Sequence, residues 1–94
     1  MKRSYKREET NIIKKLNKLL PECGATPISK FYDDDERIGI WFRGSEETAS
    51  DGISIFYEND NYEDKVHPII EEVLSQYKGW YSEPYDSGTL MAGF

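Results

Sequence analysis

The chain is short of the residues that most small-protein chemistry relies on. It has one cysteine, Cys23, and one histidine, His67. A lone thiol cannot close an internal disulfide, so a disulfide framework is excluded. One Cys and one His fall short of a zinc site, which needs three or four ligands. No apolar run exceeds three residues, as in Ile40-Trp41-Phe42. A membrane-spanning helix needs about twenty, so no membrane partner is expected. The basic opening, Met1 to Arg7, lacks the apolar segment of a secretory signal, which with the single thiol gives a cytoplasmic expectation. No glycine-rich phosphate loop, dinucleotide fingerprint or Ser-His-Asp set is present, and no cofactor is expected. No internal repeat and no Gly-, Ser- or Pro-rich linker divides the chain, so residues 1–94 are read as a single α+β domain.

Aromatic residues and acids are plentiful. Seven Tyr, four Phe and two Trp make the chain 14% aromatic. Such side chains carry much buried area each, which suits a small core. Charge is unevenly placed. Residues 1–20 hold seven Lys/Arg against two Glu, a net of +5, and residues 21–94 hold five against sixteen acids, a net of −11. An acidic body repels phosphate backbones, so no nucleic-acid partner is expected, despite the basic first segment.

Hydrophobic periodicity predicts a helix over residues 4–20, with Tyr5, Ile12, Ile13, Leu16, Leu19 and Leu20 as its apolar stripe, Ser4 as N-cap and Pro21 as stop. Glu8 and Glu9 suit its first turn. Three strands follow: Thr26–Tyr32, Arg37–Arg43 and Gly52–Glu58. In the second, Ile38, Ile40 and Phe42 point one way, and Gly39, Trp41 and Arg43 the other. In the third, Ile53, Ile55 and Tyr57 alternate against Ser54 and Phe56. A second apolar stripe runs from Tyr62 to Tyr77. Pro68 favours a helix starting near His67 over one starting at Asp60 or Asn61, because at the first helical position its missing N–H costs nothing. Residues 80–94 read as a hairpin turning at Asp86-Ser87-Gly88. The predicted fold class is α+β: an antiparallel sheet of four to five strands with two helices on one face, in the order α-β-β-β-α-β-β.

The order α-β-β-β-α over residues 4–79 resembles that of double-stranded RNA-binding domains. Where that family carries its lysine cluster, this chain has Tyr62-Glu63-Asp64-Lys65-Val66-His67, and the functional residues do not carry over. Asp86-Ser87-Gly88-Thr89 resembles the Asp-Ser/Thr-Gly motif of aspartic proteases. Those enzymes pair two such aspartates, and residues 90–94 do not hold the elements that should follow the motif. An Asx-type turn is the expected role of Asp86. The acidic runs Asp33–Glu36 and Glu58–Asp64 lack the spacing of a calcium loop and read as solvated turns. Cys23 follows a helix C-terminus, where the dipole disfavours a thiolate.

The aromatics are the better functional signal. If the helices cover the Ile face of the sheet, Trp41, Arg43 and Phe56 either face outward or lie under the C-terminal hairpin. Exposed aromatics beside Arg mark protein interfaces. The expected function is therefore a small non-enzymatic protein-interaction domain with an unidentified protein partner. In size and acidity it resembles viral or phage accessory inhibitors, including DNA mimics, and a homodimer is a candidate assembly. One alternative is a small-molecule-binding or enzymatic module, with Trp41, Tyr57, Tyr81 and Asp86 lining a site between sheet and hairpin. The other is nucleic-acid binding through the basic first helix. The binding candidates are Trp41, Arg43, Phe56, Tyr57, Tyr81 and Asp86.

Overall fold

A computed structural model describes residues 4–57, 65–86 and 88–94. Helix α1 spans Tyr5–Leu19, and the Ser4 side chain accepts a hydrogen bond from the Arg7 N–H at its start. Ile12 and Leu16 face inward, while Leu19, assigned to the apolar stripe from sequence, is half exposed. Pro21 opens a 3-10 turn, Pro21–Cys23, which ends at Gly24 in the left-handed region. Strand β1 (Ala25–Pro27) leads into a short helix α2 (Ser29–Tyr32), then β2 (Ile40–Phe42). Strands β3 (Phe56–Tyr57) and β4 (Lys65–Val66) precede helix α3 (Pro68–Ser75). The chain then forms the hairpin of β5 (Tyr81–Asp86) and β6 (Thr89–Gly93).

The architecture is α+β. A four-stranded antiparallel sheet has the order β1-β2-β6-β5, and β3 and β4 form a second, two-stranded sheet. Ile40, Phe42, Leu90 and Ala92 share one face of the larger sheet and form the core with Ile12 and Leu16 of α1 and Ile70, Val73 and Leu74 of α3. Helix α3 starts as the proline indicates: His67 is its N-cap and Pro68 its first residue. The apolar position Tyr62 and the acidic run from residue 58 to 64 lie outside the described residues, as does Ser87.

The three strands expected after the first helix all differ from the sequence reading. Arg37–Arg43 is strand only over Ile40–Phe42. The segment Thr26–Tyr32 is strand only to Pro27. Ile28 still donates its N–H to Gly39, but it takes helical angles, and Phe31 and Tyr32 donate back to its carbonyl. Asp33, at φ 53°, ends that turn in the left-handed region. The described residues of the segment Gly52–Glu58, 52–57, do not join the larger sheet; among them only Phe56–Tyr57 is strand, paired with β4.

At the open end of the β2–β6 pair a hydroxyl replaces a direct backbone bond. Buried Ser45 accepts the Leu90 N–H at 2.9 Å and donates to the Phe42 carbonyl. The adjacent Gly44 is required by contact: a Cβ there would lie 2.0 Å from the Glu22 carbonyl oxygen. Both sheet edges carry protection. On β1, the Asn17 amide accepts the Ala25 N–H at 3.2 Å and donates to the Ala25 carbonyl at 3.1 Å, occupying the outward groups of Ala25, and Pro27 brings no N–H to that edge. On β5 the outer edge contains Pro84.

Candidate functional site

The face of the sheet opposite α1 and α3 is built from alternate residues. Residues paired across strands share a face, so Thr26, Trp41, Met91 and Glu83 form one row across all four strands. Tyr81, two residues from Glu83, projects from the same face. Helix α2 lies over it. The Phe31 ring meets Trp41 edge to face at 5.0 Å, Tyr85 at 5.2 Å and Tyr32 at 4.9 Å. Such edge-to-face pairs align the positive ring edge with the negative ring face. The Arg43 guanidinium is 5.7 Å from the Trp41 ring centre, and that of Arg37 is 4.0 Å from the Tyr32 ring. Arg37 also pairs with Asp34 at 3.4 Å.

Phe31 and Trp41 are half-buried, whereas Tyr81 and Tyr85 remain 52% and 53% exposed; the Phe94 ring belongs to the other face of the sheet, where it stacks on Tyr5 of α1 at 4.1 Å and meets Trp80 at 5.0 Å. Tyr81 and Tyr85, with Tyr32, Glu83 and Met91, border an open groove of about 540 Å³.

The six candidates from sequence separate into distinct places. Trp41, Arg43 and Tyr81 lie on this aromatic face. Phe56 does not: it is 7% exposed and belongs to the core. Its parity gave the wrong side because β3 pairs with β4 in the separate small sheet rather than beside β2. Tyr57 is exposed on a second groove of about 750 Å³, shared with Ile53, Val66, Pro68 and Pro84. Asp86 is exposed and accepts the Gly88 N–H at 3.0 Å, the Asx-type turn expected of it. The C-terminal hairpin does not fold over Trp41. It extends the sheet edge to edge, and the element that covers Trp41 is α2. Trp41, Tyr57, Tyr81 and Asp86 therefore do not converge on one site.

The structure also places titratable groups that sequence reasoning left elsewhere. Glu9 is 1% exposed, on the inner face of α1, with the Lys6 ammonium 3.2 Å from Oε2 and neither oxygen in a well-aligned hydrogen bond. Burial raises its carboxyl above the ordinary value, against the opposing pull of Lys6. The spacing 5, 9, 12, 16 places it on the apolar stripe, and that period was the available signal.

His67 is 1% exposed and both ring nitrogens are engaged. Nδ1 accepts the Ile69 N–H at 3.1 Å, and Nε2 lies 3.1 Å from Asp51 Oδ2. The neutral ring therefore carries its proton on Nε2, directed at the carboxylate. The Ile53 N–H, which donates to Asp51 Oδ1, holds that carboxyl below its ordinary value, with His67 assisting. Burial pushes the Cys23 thiol up to about 11, far from a reactive thiolate. Among the described residues no group of three or more His, Cys, Asp or Glu side chains converges. No described helix is long and apolar enough to cross a membrane. No family model, curated protein or solved structure matches this chain.

Proposed function

We propose that this chain is a non-catalytic binding module that captures a partner protein on the aromatic face formed by Tyr32, Tyr81 and Tyr85. The observation carrying this reading is the half-exposed state of those rings around the ordered Phe31–Trp41 pair. Leaving several large rings together at the surface gives up burial worth about 1.5–3 kcal/mol per fully buried side chain. Tyr and Trp are also the residues most enriched in the energetic centres of protein interfaces, because they bring large area with few rotatable bonds. The Phe31 contacts hold the platform in place before any partner arrives, which lowers the ordering cost of association. The groups with nucleophilic or base chemistry have structural duties: the Cys23 thiol is buried, and His67 caps α3 through one nitrogen and meets Asp51 through the other.

The test is a photo-crosslinking amino acid at position 85, with position 19 as control, since Leu19 is similarly exposed on α1 at the opposite side of the sheet. The expected result is a discrete protein adduct from position 85 that is absent from position 19. Equal labelling at both positions, or none, would overturn the reading.

A further inference from the structure

The occupant of the aromatic groove can be narrowed by asking what its flanking strand offers. This step rests on the protein-binding reading above. Leu90 directs its N–H to Ser45, on the β2 side of β6. Its partner across β5 is Pro84. Leu90 and Pro84 are therefore a non-hydrogen-bonded pair, and the backbone polar groups of Pro84 point away from β6, to the open edge. Those of Ser82 do the same by alternation. Proline has no N–H, so between Ser82 and Pro84 the edge presents one donor. A chain arriving as an extra strand needs donors and acceptors in alternation, and this edge interrupts them.

A polyproline II segment has no such need. It makes no backbone ladder, has three residues per turn, and leaves its carbonyls free to accept hydrogen bonds. Its usual dock is a groove walled by aromatic rings. Here Tyr81 and Tyr85 lie four residues apart on β5, about 13 Å along a strand. The two prolines of a P-x-x-P unit are about 9 Å apart, so the unit fits between the rings. Among the described residues, the Tyr32, Tyr81 and Tyr85 hydroxyls make no hydrogen bond, so all three remain able to donate to such carbonyls.

Charge selects the flank of the ligand. Arg37 is offset by Asp34. Glu83, in the groove, has no ion partner among the described residues, and Asp33, Asp35 and Glu36 add unpaired acids on the turn after α2. We infer that the groove binds a basic, proline-rich segment of a partner protein in the polyproline II conformation. Its prolines lie against Tyr81 and Tyr85 and its Arg or Lys meets Glu83.

The experiment titrates the ¹⁵N-labelled full chain with three synthetic peptides: a P-x-x-P peptide flanked by two Arg, the same peptide with Glu for Arg, and a Val/Thr-rich strand-forming peptide of equal positive charge. The expected result is saturable binding of the first alone, with shifts centred on residues 81–85 and 91–94. Tyr85→Ala and Glu83→Lys, both at exposed positions, should each weaken it about tenfold or more, which is about 1.4 kcal/mol. Preferential binding of the strand-forming peptide would overturn the inference in favour of edge pairing. Loss of the groove signals through dimer formation, read by sedimentation, would overturn it in favour of a second copy. If no peptide binds while position 85 still crosslinks a partner, this inference falls and the broader reading stands; if both fail, both fall.

Discussion

Removing the Ser45 hydroxyl should cost far more stability than a serine in a turn usually does. Ser45, Phe42 and Leu90 are 2%, 1% and 0% exposed, so water cannot replace what is lost. In Ser45→Ala the Phe42 carbonyl keeps one partner, the Ser45 N–H at 3.2 Å, and loses the hydroxyl. The Leu90 N–H loses its only side-chain acceptor. A buried donor left without a partner costs about 1–3 kcal/mol, and a lost bond to a group still partnered about 0.5–1.5. The two add to about 1.5–4.5 kcal/mol, and the midpoint of about 3 is a large part of the ~5–15 kcal/mol that holds a domain of this size. That midpoint corresponds to a fall in Tm of roughly 12–24 °C at about 4–8 °C per kcal/mol. Urea denaturation measures it, with an unchanged slope expected because the same surface is exposed on unfolding. The Leu90 amide should also lose hydrogen-exchange protection by more than its neighbours. A loss under 0.5 kcal/mol with Leu90 protection intact would refute the bridge and imply direct bonding between β2 and β6.

Four further outcomes follow from the same structure. Glu9 has its folded pKa raised above its ordinary 4.5, so its stabilising contribution is present below that pH and is lost as pH rises through the folded value; Glu9→Gln should therefore be more stable than wild type at pH 7, and the difference should vanish below about pH 4.5, read by paired denaturation curves. Gly44→Ala forces backbone against backbone at the Glu22 carbonyl, and should lower stability by about 1–3 kcal/mol, at the upper end because no flexible side chain can yield. Deleting residues 89–94 removes a strand paired on both sides, together with buried Leu90, Met91 and Ala92, and should abolish the cooperative melting transition. Asp86→Ala should cost about 1 kcal/mol in thermal denaturation and Asp86→Asn much less, because only the second retains an acceptor for Gly88.

Legibility in the sequence varied with how much of each signal was local. Helix α1 carries a cap, a stripe and a terminating proline within twenty residues, and α3 carries Pro68 at a position only a helix start tolerates. The hairpin is announced by its Asp-Ser-Gly turn. Helix α2 was hidden because Thr26-Pro27 leads into it as strand and four residues are too few to show a helical period. Yet Ile28, Phe31 and Tyr32 do have the i, i+3, i+4 spacing of a turn, and that turn supplies the ring covering Trp41. Phe56 was misplaced for a different reason: parity tells which residues share a face but not which sheet a strand joins. Glu9 shows residue type overruling position, since its charge argued for solvent while its spacing argued for the interior.

The double engagement of His67 links parts of the chain that are otherwise only neighbours. The ring fastens the first turn of α3 to Asp51, the His67 N–H reaches the Ile55 carbonyl, and the Ile55 N–H reaches the Glu47 carbonyl. The loop after β2, the small sheet and the start of α3 are thus joined by consecutive hydrogen bonds, which couples their opening. In native-state hydrogen exchange the amides of Ile55, His67 and Ile69 should report one shared opening free energy, with that single imidazole as its latch.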